Sequence, residues 1–76
     1  MKENIFELVS KELKILRIEN GLSQEELSKK SKISISSIVR YEQKDSDIKL
    51  STLEKLIKPY GISLFIFFER IIAKMQ

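Results

Sequence analysis

Cysteine and histidine are both missing from this chain, so its 76 residues have neither a disulfide nor a thiolate- or imidazole-bound zinc to hold them together. A domain this small buries only about 60% of its unfolded surface, which leaves a thin stability margin. What remains is close packing of helices, or association with another copy. The chain is expected to form a single domain, residues 1–76. The lack of cysteine also fits a reducing compartment.

Five helical segments can be traced from their caps and spacing. The first is predicted from about Glu3 to Asn20, with Asn4 as cap and Glu7 returning the bond. Ile5, Leu8, Val9, Leu13 and Leu16 recur at helical spacing and define its inward face, and Gly21 supplies a left-handed stop. Ser23-Gln24-Glu25-Glu26 forms a capping box that opens a second helix with Leu27 inward. After the tight connection Ser31-Lys32-Ile33, Ser34 is predicted to cap a third helix that runs to about Gln43, with Ile38 inward. Lys44 to Lys49 is predicted as a polar loop. Ser51-Thr52-Leu53-Glu54 has the spacing of a further capping box, opening a fourth helix with Leu53, Leu56 and Ile57 inward. Pro59 and Gly61 end that helix near Tyr60.

The tail, Ser63 to Gln76, carries more apolar surface than one small domain can cover. Wound as a helix, Leu64, Phe65, Phe67, Phe68, Ile71, Ile72 and Met75 span roughly 160°, against the ~100° that covers one core. A strand through Ile62, Leu64, Ile66 and Phe68 is the alternative. Helix is favoured because Glu69 to Met75 continues the helical period without a break. The excess points to self-association, with Phe65, Phe68 and Ile72 as the expected interface of a homodimer.

Charge is mildly basic, 14 Lys and Arg against 11 Asp and Glu, and it is unevenly placed. From Ser28 to Lys44, Lys29, Lys30, Lys32, Arg40 and Lys44 are opposed only by Glu42. A local basic patch is the footprint of phosphate contact. No segment has the form of a secretion signal, and the apolar run Ile62 to Phe68 is too short to span a bilayer. A cytoplasmic protein with no membrane partner is expected. Without histidine, cysteine, a glycine-rich phosphate loop or an acidic metal-binding cluster, no catalytic or metal-ligating residue is identified. No cofactor and no small-molecule ligand are expected.

Two short helices joined by a tight turn, the second basic and serine-rich, are the parts of a helix-turn-helix. That unit presents the start of its second helix to base edges in the major groove while the first braces on phosphate. From Leu13 through Phe68 the sequence resembles the lambda-repressor-like (Cro and phage repressor) family. The pattern is met at Leu13, Leu16, Arg17, Gly21, Leu22, Ser23, Gln24, Leu27, Ser34, Ile38, Glu42, Leu53, Gly61, Ile62 and Ser63. The LSQEEL segment, the S-x-x-x-I-x-x-x-E segment and the STLEKL segment stand at the family's separations.

The resemblance implies an all-α, five-helix domain that binds double-stranded DNA, with its helix-turn-helix at 23–43 and a dimerisation tail at 63–76. It implies that Gln24 bonds a phosphate and that Ser34 caps the recognition helix. Ile35, Ser36, Ser37 and Arg40 would face the groove floor, with Arg40 the natural reader of guanine. Tyr41 and Lys44 would meet the DNA backbone. Arg17 and Glu42 would form a partly buried ion pair that holds the recognition helix in place. Three residues depart from the pattern: Lys32 replaces the usual glycine of the turn, Lys44 the glycine after the recognition helix, and Ser28 the usual alanine. Lys44 is thereby expected to take a left-handed conformation, or its loop to differ.

Within the family, the small size and the FFERIIAKM tail are most similar to the controller proteins of restriction–modification systems, which are dimeric regulators joined through their last helix. A phage-type repressor and the antitoxin of a toxin–antitoxin pair remain alternatives, the latter going with a strand in the tail. A protein-interaction module on the same fold is the alternative of another class.

Overall fold

The computed structural model describes residues 4–43 and 47–75. Among these the chain forms five α-helices and no strand: α1 (Ile5–Glu19), α2 (Gln24–Ser31), α3 (Ile35–Tyr41), α4 (Leu50–Ile57) and α5 (Leu64–Met75). A short 3-10 turn, Lys58–Tyr60, follows α4. The tail is therefore a helix, and the strand alternative is set aside.

Local chemistry explains most of the helix ends. The Asn4 side chain accepts from the Glu7 amide at 2.9 Å while the Glu7 carboxylate accepts from the Asn4 amide, which satisfies donors that the first turn leaves open. Ser23 and Glu26 repeat the arrangement at α2. Those bonds hold the exposed Glu26 carboxyl below its ordinary pKa. Ser34 caps α3, and Ser63 accepts from the Ile66 amide at the start of α5. Gly21 and Gly61 stop their helices at φ 68° and 71°.

The capping box expected at Ser51 is not formed. α4 starts at Leu50 with Lys49 as its cap, and no side chain bonds the open amides. Ile48, just before the cap, is half-buried against the core cluster that contains Leu53. Those are the two positions of a hydrophobic staple, so burial of Ile48 fixes the entry of the chain. Ser51 is drawn into the first turn and loses the capping position.

One core joins all five helices. Val9, Leu13 and Leu16 of α1, Leu27 of α2, Ile38 of α3, Leu53, Leu56 and Ile57 of α4, and Phe67 and Ile71 of α5 are buried together. Each full burial stabilises by about 1.5–3 kcal/mol. The inward face of α1 differs from expectation at its first turn. Ile5 is half exposed, because α1 begins beyond the edge of the core, whereas Ser10 and Glu12 are buried.

Glu12 avoids the cost of a lone buried charge through α5. Its carboxylate accepts from Arg70 Nε and Lys74 Nζ, each at 2.7 Å, and Arg70 also reaches Glu19 at 2.7 Å. The Glu12 bond raises the Arg70 pKa further above its ordinary value. Because Arg70 meets Glu19 while Lys74 meets Glu12, α5 runs antiparallel to α1. This clamp turns another stripe of α5 outward: Phe65, Ile72 and Met75 are 85%, 53% and 65% exposed.

Candidate nucleic-acid interface

α2 and α3 are held at a fixed angle by buried Leu27 and Ile38 and by a turn built from serines. Lys32 occupies the left-handed region at φ 66°, which costs a residue with a Cβ roughly 1–2 kcal/mol. Ser28 Oγ donates to the Ile33 carbonyl, and Ser31 Oγ accepts from the Ile33 amide at 3.3 Å. Ser28, one of the departures from the family pattern, thus ties α2 to the residue that precedes the cap of α3. These bonds hold a turn that lacks glycine.

Ser34 spends its hydroxyl on this scaffold. It accepts from the Ser37 amide at 3.2 Å, donates to Ser37 Oγ at 2.9 Å and lies 3.4 Å from Ser36 Oγ. Ser37 is half-buried in that exchange, whereas Ser36 is exposed. Ile35 is 42% exposed beside them. Arg40 is exposed and extends over Tyr41: its guanidinium carbon lies 4.8 Å from the ring centroid, and Nη2 donates to the Tyr41 hydroxyl at 3.3 Å. The stacking orders the guanidinium while leaving the remaining donors of its fork open. Lys44, with the conformation expected of it, lies outside the described residues.

Val39 and Gln43 were missed by sequence reasoning. Both are exposed, and with Ser36 and Arg40 they extend one outward face of α3 at helical spacing. Val39 and Gln43 also line an open depression of about 400 Å³ together with Gln24. A helical wheel started at Ser36 instead of at Ile38 would have found them.

Behind this face lies the expected ion pair, with an addition. Arg17 Nε and Nη2 donate to the two oxygens of Glu42 at 2.7 and 3.1 Å, and Nη1 donates to the Leu22 carbonyl at 2.8 Å. The two side chains are only 12% and 6% exposed. The Glu42 bond raises the Arg17 pKa further above its ordinary value. Burial, and then the nearby Glu42 charge, push the Tyr60 hydroxyl up to about 12. Gln24 Nε2 donates to the same carboxylate at 3.2 Å. One N–H of the Gln24 amide is thereby fixed inward and its second N–H is left for another acceptor. The carboxylate sets both the height of α3 and the aim of Gln24.

Among the described residues no cluster of acidic side chains is disposed to hold a metal ion. Nor is any helix there long and apolar enough to cross a membrane.

Residues 13–67 match the family model described as Helix-turn-helix, and the chain belongs to that family. That family is one of transcriptional regulators and not of enzymes. It is similar to the HTH-type transcriptional regulator PuuR of Escherichia coli, with 41% identity over 58 residues, or 76% of this chain. PuuR of Shigella flexneri matches equally, and the chain spans 31% of the length of each of these relatives. Similarity to the restriction–modification controller protein C.Esp1396I extends over the whole fold. The wild-type controller superposes with a TM-score of 0.85 at 28% identity, covering 97% of both chains. Its tetramer in complex with its natural 35 base-pair operator gives 0.84 at 29% identity, covering 95% of both chains.

Proposed function

We propose that this chain is a homodimeric, sequence-specific transcriptional regulator of the controller-protein type that binds a pseudo-palindromic operator in duplex DNA. The observation that carries the proposal is the outward face of α3, with Ser36 and Arg40 exposed and the helix braced from behind by Arg17 and Glu42. In the proposed complex Arg40 reads a guanine through its fork, Ser36 and Ser37 take hydrogen bonds from base edges, and Ile35 meets a thymine methyl. Gln24 uses its outward N–H on a phosphate, Ser34 holds the start of α3, and Tyr41 and Lys44 meet the backbone. Its place of action is the cytoplasm, where the DNA of such a system lies.

The dimer rests on α5. Phe65, Phe68, Ile72 and Met75 follow one another at steps of three and four residues, the spacing of a two-helix seam. Phe65 stands free, while Phe68 is half-buried with its ring edge-on to Phe67 at 5.5 Å. The tail is a helix and not a strand, which removes the support for an antitoxin. A controller's role is supported by the likeness to C.Esp1396I, which forms a tetramer on its natural operator and also binds a 25 base-pair operator site.

A two-fold dimer requires inverted repeats. Selection of bound duplexes from a random library should return half-sites roughly 10–11 base pairs apart in inverted orientation. A selected site without inverted symmetry contradicts the proposal.

A further inference from the structure

Four lysines converge on an open cleft of about 590 Å³ at the end of α2 opposite Gln24. Lys30 and Lys32 come from the end of α2, Lys55 and Lys58 from the end of α4, with Ser31 and Pro59 between them. All four lysines are exposed, no acidic side chain lines the cleft, and none of the four is in an ion pair among the described residues. Lysines near helix C-termini are partly explained by the negative end of the helix dipole. Lys32, the C-cap of α2, in addition holds a left-handed backbone that glycine would adopt without strain. Backbone strain retained at a cluster of like charge points to use of that charge.

We propose that this cleft binds the phosphodiester backbone of duplex DNA flanking the half-site read by α3. The inference rests on the DNA-binding reading above. The cleft offers point charges but no aromatic ring to stack a base and no arginine fork to read one. It therefore suits phosphates in any sequence. Gln24, at the start of α2, meets the phosphates bordering the read groove, and the far end of the helix lies ~10 Å further along at 1.5 Å per residue. In the proposed complex the cleft at this far end of α2 faces phosphates outside those that Gln24 meets. Occupation of the cleft would lengthen the footprint of each subunit without adding sequence preference.

The test uses the full chain and two duplexes that carry the same selected site. One ends about two base pairs outside each half-site, and the other continues for about one more helical turn, ~10 base pairs, on each side. Wild-type protein should bind the longer duplex roughly tenfold more tightly, with a salt dependence steeper by about two to three units of slope. The triple variant Lys30→Gln, Lys55→Gln, Lys58→Gln should lose that gain and match wild type on the short duplex. Lys32→Gly removes both charge and strain. It should melt no lower than wild type and still lose part of the gain, which separates binding from folding. Equal losses on both duplexes, or no loss on the longer one, would overturn the proposal. Failure of wild type to enrich any duplex in the selection that supplies the site would overturn the DNA-binding reading itself.

Discussion

Glu42→Ala should cost the domain about 3–5 kcal/mol of stability, the usual penalty for stranding one partner of a buried ion pair. Arg17 would keep only its bond to the Leu22 carbonyl, with its side chain 12% exposed and little water to replace the lost carboxylate. Domains of this size have roughly 4–11 kcal/mol to lose. Thermal denaturation at fixed protein concentration should show Tm lowered by about 15 °C or more. Replacing both partners, with Arg17→Met and Glu42→Leu together, should recover most of the loss, because a well-packed apolar pair carries no stranded charge. The double variant should nevertheless bind DNA more weakly than wild type. Gln24 loses the acceptor that aims its amide in either case. A Glu42→Ala protein that melts like wild type would show that the pair does not brace α3.

The other large effect is expected at the outer stripe of α5. Phe65 is 85% exposed, so it contributes little to the fold of one subunit. Phe65→Glu should leave the helical circular dichroism and the core intact while placing a carboxylate from each subunit in the proposed seam. Sedimentation should then show a monomer at concentrations where wild type is a dimer. Affinity for the inverted repeat should fall by roughly 100-fold or more, because a single half-site no longer gains from its tethered neighbour. Phe68→Glu is the poorer probe, since Phe68 is half-buried against Phe67 and its loss also disturbs the core. Wild-type protein that remains monomeric at hundreds of micromolar would contradict the dimer.

What could be read from the sequence was what neighbouring residues decide among themselves. The boxes at Asn4–Glu7 and Ser23–Glu26 close within one turn, and Gly21 and Gly61 adopt the left-handed stops for which glycine is suited. The same local rule misplaced the start of α4, because the spacing of Ser51 and Glu54 says nothing of Ile48 reaching the core. Glu12 was unreadable for a similar reason. A carboxylate in an amphipathic helix is expected at the surface, and its burial depends on Arg70 and Lys74, which lie 58 and 62 residues away.

The site divides in the same way. Ser34 as the cap of α3 follows from its position before an apolar-periodic segment, whereas the bond from Gln24 to Glu42 spans two helices and appears only in the fold. The resemblance supplied the Arg17–Glu42 pair, which local spacing alone does not reveal. Lys32 shows the limit of pattern matching from the other side. The pattern marks it as a departure from glycine, yet the backbone keeps the left-handed turn and Ser28 and Ser31 hold it closed.

If α3 reads base sequence through its exposed face, Arg40→Ala should discriminate between DNA sequences less well than wild type. Its binding to the selected site and to random duplex is to be measured at one fixed salt concentration. The expected result is a loss of about 1–3 kcal/mol on the selected site and little change on random DNA, so that the specificity ratio falls by roughly ten- to a hundredfold. Equal losses on both duplexes would contradict this, since Arg40 would then be a backbone contact and not a reader of bases.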